Sequence, residues 1–207
     1  MVLDAYRHLA DAVLDPMARG LRNASPDALS WTALGFAAAA GVALYRGGAT
    51  LLLLGGLFVF LNALFDALDG KVAKLTGRAS RRGDFLDHVL DRYADVLILG
   101  GIALSGYCPL WLGLLALLGV LLTSYMGTQA QAVGMGRDYG GALGRADRLV
   151  IVVVIAVLQA AADPLGRGPF GLDPLRFTFL GWGMFLFAIL GHVTAIQRGV
   201  ATWRRLT

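Results

Sequence analysis

Glutamate is absent from this 207-residue chain, cysteine occurs once, at Cys108, and lysine occurs only at Lys71 and Lys74. A single cysteine excludes an intrachain disulfide framework and any cysteine-rich metal site. Without glutamate, all 14 acidic residues are aspartates, and 16 of the 18 basic residues are arginines, a skew that reads as coding bias. The opening residues MVLDAYRHLADAVLDP lack a basic leader and a small-residue cleavage site. That argues against a removable signal peptide, and the N-terminus is expected to be retained. Also missing are an internal repeat, a low-complexity tract and a long linker, which leaves no room for a separate soluble domain.

What is present is hydrocarbon. Hydrophobic residues make up 57% of the chain and charged residues 15%, with several apolar stretches near bilayer-crossing length. The pattern predicts an all-α integral membrane protein, a single domain over 1–207. A juxtamembrane amphipathic helix occupies 1–24 and a six-helix transmembrane bundle occupies 28–199. Val2, Tyr6, Leu9, Val13, Met17 and Leu21 recur at helical spacing opposite Asp4, Arg7, Asp11 and Asp15, as in a helix lying on the membrane surface. Pro16 is expected to bend that helix or end it early. Six apolar segments follow at about 28–45, 49–73, 84–106, 109–133, 147–162 and 177–199. Trp31, Tyr45, Tyr107, Trp111 and Trp203 fall near segment ends, as interfacial anchors do.

Lys and Arg counted on alternate sides give 15 on one face, against Arg46, Arg167 and Arg176 on the other. By the positive-inside rule a multi-pass protein of the cell membrane is expected, with both termini and the 66–91 region cytoplasmic. The net charge of +4 is dispersed over membrane-flanking loops, not gathered into a stripe, so anionic lipid headgroups and phosphorylated small molecules fit better than nucleic acid.

The densest chemical signal is the run D-x2-D-G-x2-A-K-x8-G-x3-D-x3-D from Asp66 to Asp91. Carboxylates inside or at the edge of a bilayer are costly to keep charged, so such a cluster points to function. Asp66 and Asp69 share one helix face, and Asp87 and Asp91 share another. The short connection between them makes the two helices antiparallel neighbours, so both pairs converge on one cavity. A divalent ion offsets the mutual repulsion of the carboxylates. Oxygen ligands with only His88 nearby suit Mg2+, Mn2+ or Ca2+ better than zinc. Two ions about 3.5–4 Å apart would form the clamp used in phosphoryl-type transfer. Gly70, Ala73 and Gly83 leave room for a flat base or a diphosphate, and Lys74, Arg78, Arg81 and Arg82 add positive charge. Asp84 and Asp95 fall outside the spacing; Asp84 is expected to cap the following helix.

On these residues the chain resembles the CDP-alcohol phosphotransferase family, whose signature is D-x2-D-G-x2-A-R-x8-G-x3-D-x3-D. Asp66, Asp69, Gly70, Ala73, Gly83, Asp87 and Asp91 match, and Lys74 stands where the family has Arg. The resemblance covers essentially the whole chain and implies a site with two Mg2+ or Mn2+ ions. Asp66 and Asp87 would bridge them, Asp69 would bind one ion, and Asp91 would lie near the other as general base. Asp69, Gly70, Ala73, Lys74 and Gly83 would hold the CDP moiety. A lysine keeps the charge but loses the planar fork, so altered phosphate contact is expected. A Pro-Asn-x2-Thr element of the family is matched loosely by Pro26-Asp27-Ala28-Leu29-Ser30. The implied reaction moves the lipid-phosphate group of CDP-archaeol or CDP-diacylglycerol to a hydroxyl of a small polar alcohol, releasing CMP. The implied partners are that donor, the acceptor, membrane lipids and, as in many members, a second copy of the chain.

Ser124-Tyr125 and Gly144-Arg145-Ala146-Asp147-Arg148-Leu149 are similar to elements around the acceptor pocket of phosphatidylinositol-phosphate and archaetidylinositol-phosphate synthases. Arg145 and Arg148 are then candidates for an acceptor phosphate, which makes inositol phosphate the expected acceptor. Those relatives carry basic residues after Ser-Tyr, whereas this chain has Met126-Gly127-Thr128-Gln129-Ala130-Gln131. That keeps glycerol phosphate and an unphosphorylated polyol as alternatives, the latter contacting Gln129. A divalent-cation transporter is the alternative of another class. It would place ligands near the midplane and often carry a repeat.

Overall fold

The computed structural model describes residues 7–136 and 140–206. Val2, Asp4 and Tyr6 of the expected amphipathic face lie outside the described residues. Seven helices follow in order: α1 (Arg7–Gly20), α2 (Pro26–Arg46), α3 (Ala49–Leu75), α4 (Arg81–Ala103), α5 (Leu110–Ala132), α6 (Arg145–Ala162) and α7 (Phe179–Leu206). The chain is not purely helical. Between α6 and α7 an antiparallel hairpin pairs β1 (Phe170–Leu172) with β2 (Leu175–Phe177). Glycine and proline in the stretch GRGPFGLDP disfavour continuing α6, and the exposed backbone pairs with itself instead.

Pro16 does not end α1, which continues through it to Gly20. The proline is exposed, so the amide hydrogen bond it cannot make leaves no buried carbonyl behind. Part of the apolar surface of the α1 region docks on the bundle. Leu14, Ala18 and Leu21 pack against Leu29, Leu68 and Val72, whereas Val13 and Met17 face outward. Lys71 of α3 fastens α1 from the side through Asp11, at 2.6 Å, and Asp15.

Helices α2 to α7 form the bundle, with α2 against α3 and α4, α3 against α6, α4 against α5, and α5 against α7. Its core is a continuous apolar cluster that includes Leu44, Leu52, Ile98, Ile102, Leu112, Met184 and Phe187. The outer surface is also apolar: Leu53, Phe60, Leu118, Val154 and Ile189 are all exposed. A soluble bundle would carry charge at such positions, and a bilayer is the solvent that suits them.

Five helices are long and apolar enough to span a membrane: α2, α3, α5, the stretch from α6 to Leu165, and α7. The expectation of six meets this test in five. The exception is α4, which has 23 residues but carries Arg81, Arg82, Asp84, Asp87, Asp91, Arg92 and Asp95 in its first fifteen. Its N-cap is Ser80, whose hydroxyl accepts the Gly83 amide at 3.1 Å; Asp84 sits in the first turn instead of capping.

Alternate helix ends collect at opposite poles. At one pole Ser30 of α2 meets Asp69 of α3, Arg145 of α6 meets Asp66 and Asp91, and Arg92 of α4 meets Ser124 of α5. At the other, the Tyr107 hydroxyl accepts the Gly48 amide at 3.0 Å and donates to Asp163. Gln159 bonds Asp163 and the Phe179 amide, each at 2.9 Å.

Close crossing of α2 and α4 depends on glycine. A Cβ added at Gly101 would come within 2.3 Å of the Gly41 carbonyl oxygen, backbone that cannot move aside cheaply. Gly100, beside it, has open space around its own added Cβ. Alanine normally improves a helix over glycine by about 1 kcal/mol. Gly101→Ala is therefore expected to reverse that sign, costing about 1–3 kcal/mol through overpacking, while Gly100→Ala leaves stability equal or higher. Thermal melting in detergent, with both variants side by side, checks the pair.

Candidate active site and metal centre

The last turns of α3 and the first turns of α4 bring the motif together as helical spacing demands. Asp66, Asp69 and Asp87 each offer a carboxylate oxygen within 4.8 Å of the others. Asp87, His88 and Asp91 form a second such group. The His88 ring nitrogens lie 3.3 Å from Asp84 and 3.5 Å from Asp87. Asp69 is buried and accepts the Ser30 hydroxyl at 2.5 Å, which fixes one of its oxygens and joins α2 to the site.

Beside these carboxylates lies a cleft of about 270 Å³, lined by Asp69, Gly70, Ala73, Lys74, Gly83 and Asp87, with Pro26, Asp27 and Ser30 on its α2 side. All five residues expected to hold the CDP moiety, Asp69, Gly70, Ala73, Lys74 and Gly83, line this one space. A Cβ at Gly70 would meet nothing within 4 Å, so that glycine widens the cleft and is not there for helix packing. The loosely matched Pro26–Ser30 element forms a wall of the same cleft. Arg78 is tied to the Ala24 carbonyl at 3.2 Å, and Arg82 lies 4.0 Å from Asp27, so the loop cations border the opening without filling it.

Behind the cleft is a small cavity of about 10 Å³ that touches Asn62, Asp66, Asp87, Asp91 and Arg145. Asn62 is 1% exposed; its amide nitrogen donates to the Ala33 carbonyl at 2.9 Å, and its Oδ1 has no hydrogen-bond partner. An orphaned oxygen and three carboxylates around one small space form a hard-oxygen donor set, which suits Mg2+ or Mn2+.

Arg145 is engaged by two carboxylates of the motif. Its two terminal nitrogens hold Asp66 Oδ2 at 2.5 Å and Asp91 Oδ1 at 2.8 Å. Arg148, 3% exposed, is paired with Asp95 at 3.1 Å. Asp95 is 4% exposed and is also held by Arg92 at 3.2 Å, so an aspartate expected to be ordinary is a buried charge with two partners. Gln129 is exposed near the end of α5 and lines neither cavity.

Several residues of this pole escaped the sequence reading. Asn62 was visible as an amide inside the apolar run FVFLNALF, one turn before Asp66; Asp95 continues the four-residue spacing of Asp87 and Asp91. Arg92 and Arg198 carry no such local mark. Arg92 hydrogen-bonds the Ser124 hydroxyl, and Arg198 donates to the Gly140 carbonyl at 2.8 Å and the Thr123 carbonyl at 2.7 Å.

Known proteins resemble this chain in sequence and fold. The profile of CDP-alcohol phosphatidyltransferases matches residues 23–193. The archaetidylinositol phosphate synthase of Methanothermobacter thermautotrophicus is 32% identical over 206 residues, 99% of this chain and 96% of its own. The phosphatidylinositol phosphate synthase of Cutibacterium acnes is 31% identical over 214 residues, covering 98% of each chain. The crystal structure of Mycobacterium tuberculosis phosphatidylinositol phosphate synthase with CDP-DAG bound superposes with a TM-score of 0.74 at 28% identity, over 93% of this chain and 94% of that one. The same enzyme in complex with manganese and citrate gives a TM-score of 0.73 at 29% identity, over 92% and 88%. With a family match over most of its length and a bundle that superposes on a solved member, the chain belongs to the CDP-alcohol phosphatidyltransferase family and is a multi-pass membrane transferase of phospholipid synthesis.

Proposed function

We propose that this transferase moves the lipid-phosphate group of a CDP-activated lipid to a hydroxyl of inositol phosphate, releasing CMP. The observation that carries the reading is the convergence of Asp66, Asp69, Asp87 and Asp91 beside a cleft walled by Gly70, Ala73, Lys74 and Gly83. The relatives named for inositol phosphate products support the acceptor. So does the gathering of Arg92, Arg145, Arg148 and Arg198 at one pole. The Nε atoms of Arg92, Arg145 and Arg148 are buried without hydrogen-bond partners, leaving donor capacity for an anionic group. Cations missing after Ser124-Tyr125 are thus replaced by cations from α4 and α7. The donor tail is archaeol or diacylglycerol, since relatives of both kinds match equally well.

Asp66, Asp69 and Asp87 would hold one divalent ion, and Asp66, Asp87 and Asp91 a second. When bound, such ions neutralise charge on the diphosphate and on the leaving CMP. The chain's own share is positioning. Lys74 reaches the diphosphate in the cleft, Ser30 steadies Asp69, and Asp91 takes the proton of the attacking hydroxyl. The acceptor oxygen bonds to the lipid-bearing phosphorus, the bridging P–O bond to CMP breaks, and CMP leaves with the electron pair.

Six crossings with both termini and the site in the cytoplasm agree with the distribution of Lys and Arg and with the alternating poles of α2 to α7. The lipid tails then stay in the bilayer while nucleotide and acceptor exchange with water.

CMP release by the purified protein, from CDP-archaeol and CDP-diacylglycerol in Mg2+ or Mn2+, tests the reading against inositol phosphate, glycerol phosphate, inositol and glycerol. Release with inositol phosphate is expected; release only with an unphosphorylated polyol would overturn the acceptor. Asp91→Asn is expected to lower kcat about 10²–10⁴-fold with an unchanged circular dichroism spectrum, and a near-normal rate would remove it as the base. Lys74→Arg is expected to preserve or lower the donor KM, because a guanidinium adds a bidentate grip on phosphate; a marked rise would mean that the cleft is shaped to lysine.

A further inference from the structure

Arg145 is at the first position of α6, where a cation meets the positive end of the helix dipole and is disfavoured by its own helix. What holds it there is the pair of carboxylates on two other helices, Asp66 of α3 at 2.5 Å and Asp91 of α4 at 2.8 Å. Both contacts use terminal nitrogens, and Nε makes none, so the grip ends with those two carboxylates. The turn that carries it is set separately: the Asp147 carboxylate accepts the Gly144 amide at 3.1 Å. Asp66, Asp91 and Arg145 also border the same small cavity as Asp87 and Asn62. A guanidinium and a divalent ion are alternative countercharges for these oxygens, and at such range they repel one another.

We propose that Arg145 is a built-in competitor of the divalent ions: its charge already compensates one oxygen each of Asp66 and Asp91, so that an ion binds those carboxylates against the repulsion of the guanidinium. This rests on the aspartates being the metal site, as argued above. It makes Arg145 a positioning residue that sets metal affinity. It also predicts that removing the competitor strengthens metal binding, the reverse of what losing a ligand or a packing residue does.

The test is Mn2+ binding to the purified full chain in detergent, followed by the electron paramagnetic resonance signal of free Mn2+, with melting temperatures in EDTA and in Mn2+. Wild type, Arg145→Gln, Arg145→Lys and Asp87→Asn are compared. Arg145→Gln is expected to bind Mn2+ about tenfold more tightly, from loss of one competing unit charge. It is also expected to melt below wild type in EDTA and to recover in Mn2+. Arg145→Lys, whose single ammonium cannot span both carboxylates, is expected to fall between, and it provides the reading if the glutamine variant folds only with metal. Equal or weaker Mn2+ binding by both variants, with a melting deficit that Mn2+ does not relieve, would overturn the proposal while leaving the metal site standing. Wild type that binds no more Mn2+ than Asp87→Asn would overturn the metal site, and this inference with it.

Discussion

Carboxylates embedded among hydrocarbon must be neutralised by something, and that requirement organises this protein. Asp91 and Asp95 are 8% and 4% exposed on a helix that is apolar from Val96 onward. Separating such a charge from its partner costs about 3–5 kcal/mol. The partners come from elsewhere in the chain: Arg145 and Arg148 from α6, with Arg92 on α4 itself. Charge compensation therefore decides which helix packs beside the motif. It draws the start of α6 to the end of α3 and the start of α4, and so closes the bundle at one pole.

The two poles are built from different chemistry. The far pole is joined by Tyr107, Asp163 and Gln159 through hydrogen bonds that link loops and helix ends without a dense cluster of charge. The site pole concentrates charge of both signs around a cleft. Between them the helices approach closely, with glycine at the α2–α4 crossing, so that side chains on α2, α3 and α4 reach a common space. Ser30 and Asp69 show the result, a buried contact between residues 39 positions apart. A cleft at the bundle's edge, open toward one pole and flanked by lipid-facing surface, suits a reaction in which one substrate is anchored in the bilayer and the other is dissolved in water.

Asp66 and Asp91, the proposed metal ligands, are engaged by Arg145, so the same pair also contributes to the packing of α6 against α3 and α4. Lys74 illustrates a milder departure from the family pattern. It keeps a positive charge in the cleft wall where a guanidinium is usual, and the surrounding small residues leave the opening intact.

The helices, the convergence of the motif aspartates and the small residues that line the cleft were legible in the sequence because they obey local rules. Apolar runs of bilayer length form helices, three- and four-residue spacing puts paired carboxylates on one face, and a short connection makes neighbours antiparallel. Where a local rule met a wider context the outcome differed: Pro16 was tolerated because it is exposed, and α4 falls short of an apolar span because it carries seven charged residues in its first fifteen. Only the tertiary structure decided the partners of those charges. Arg145 meets Asp66 across 79 positions, and Arg148 meets Asp95 across 53, through lateral packing of helices that no single-helix periodicity encodes. The sequence by itself thus determined which groups are candidates for the chemistry, since reactivity resides in residue type and spacing. Which cations face those groups was left to the fold, because charge pairing between helices depends on which surfaces come to lie together.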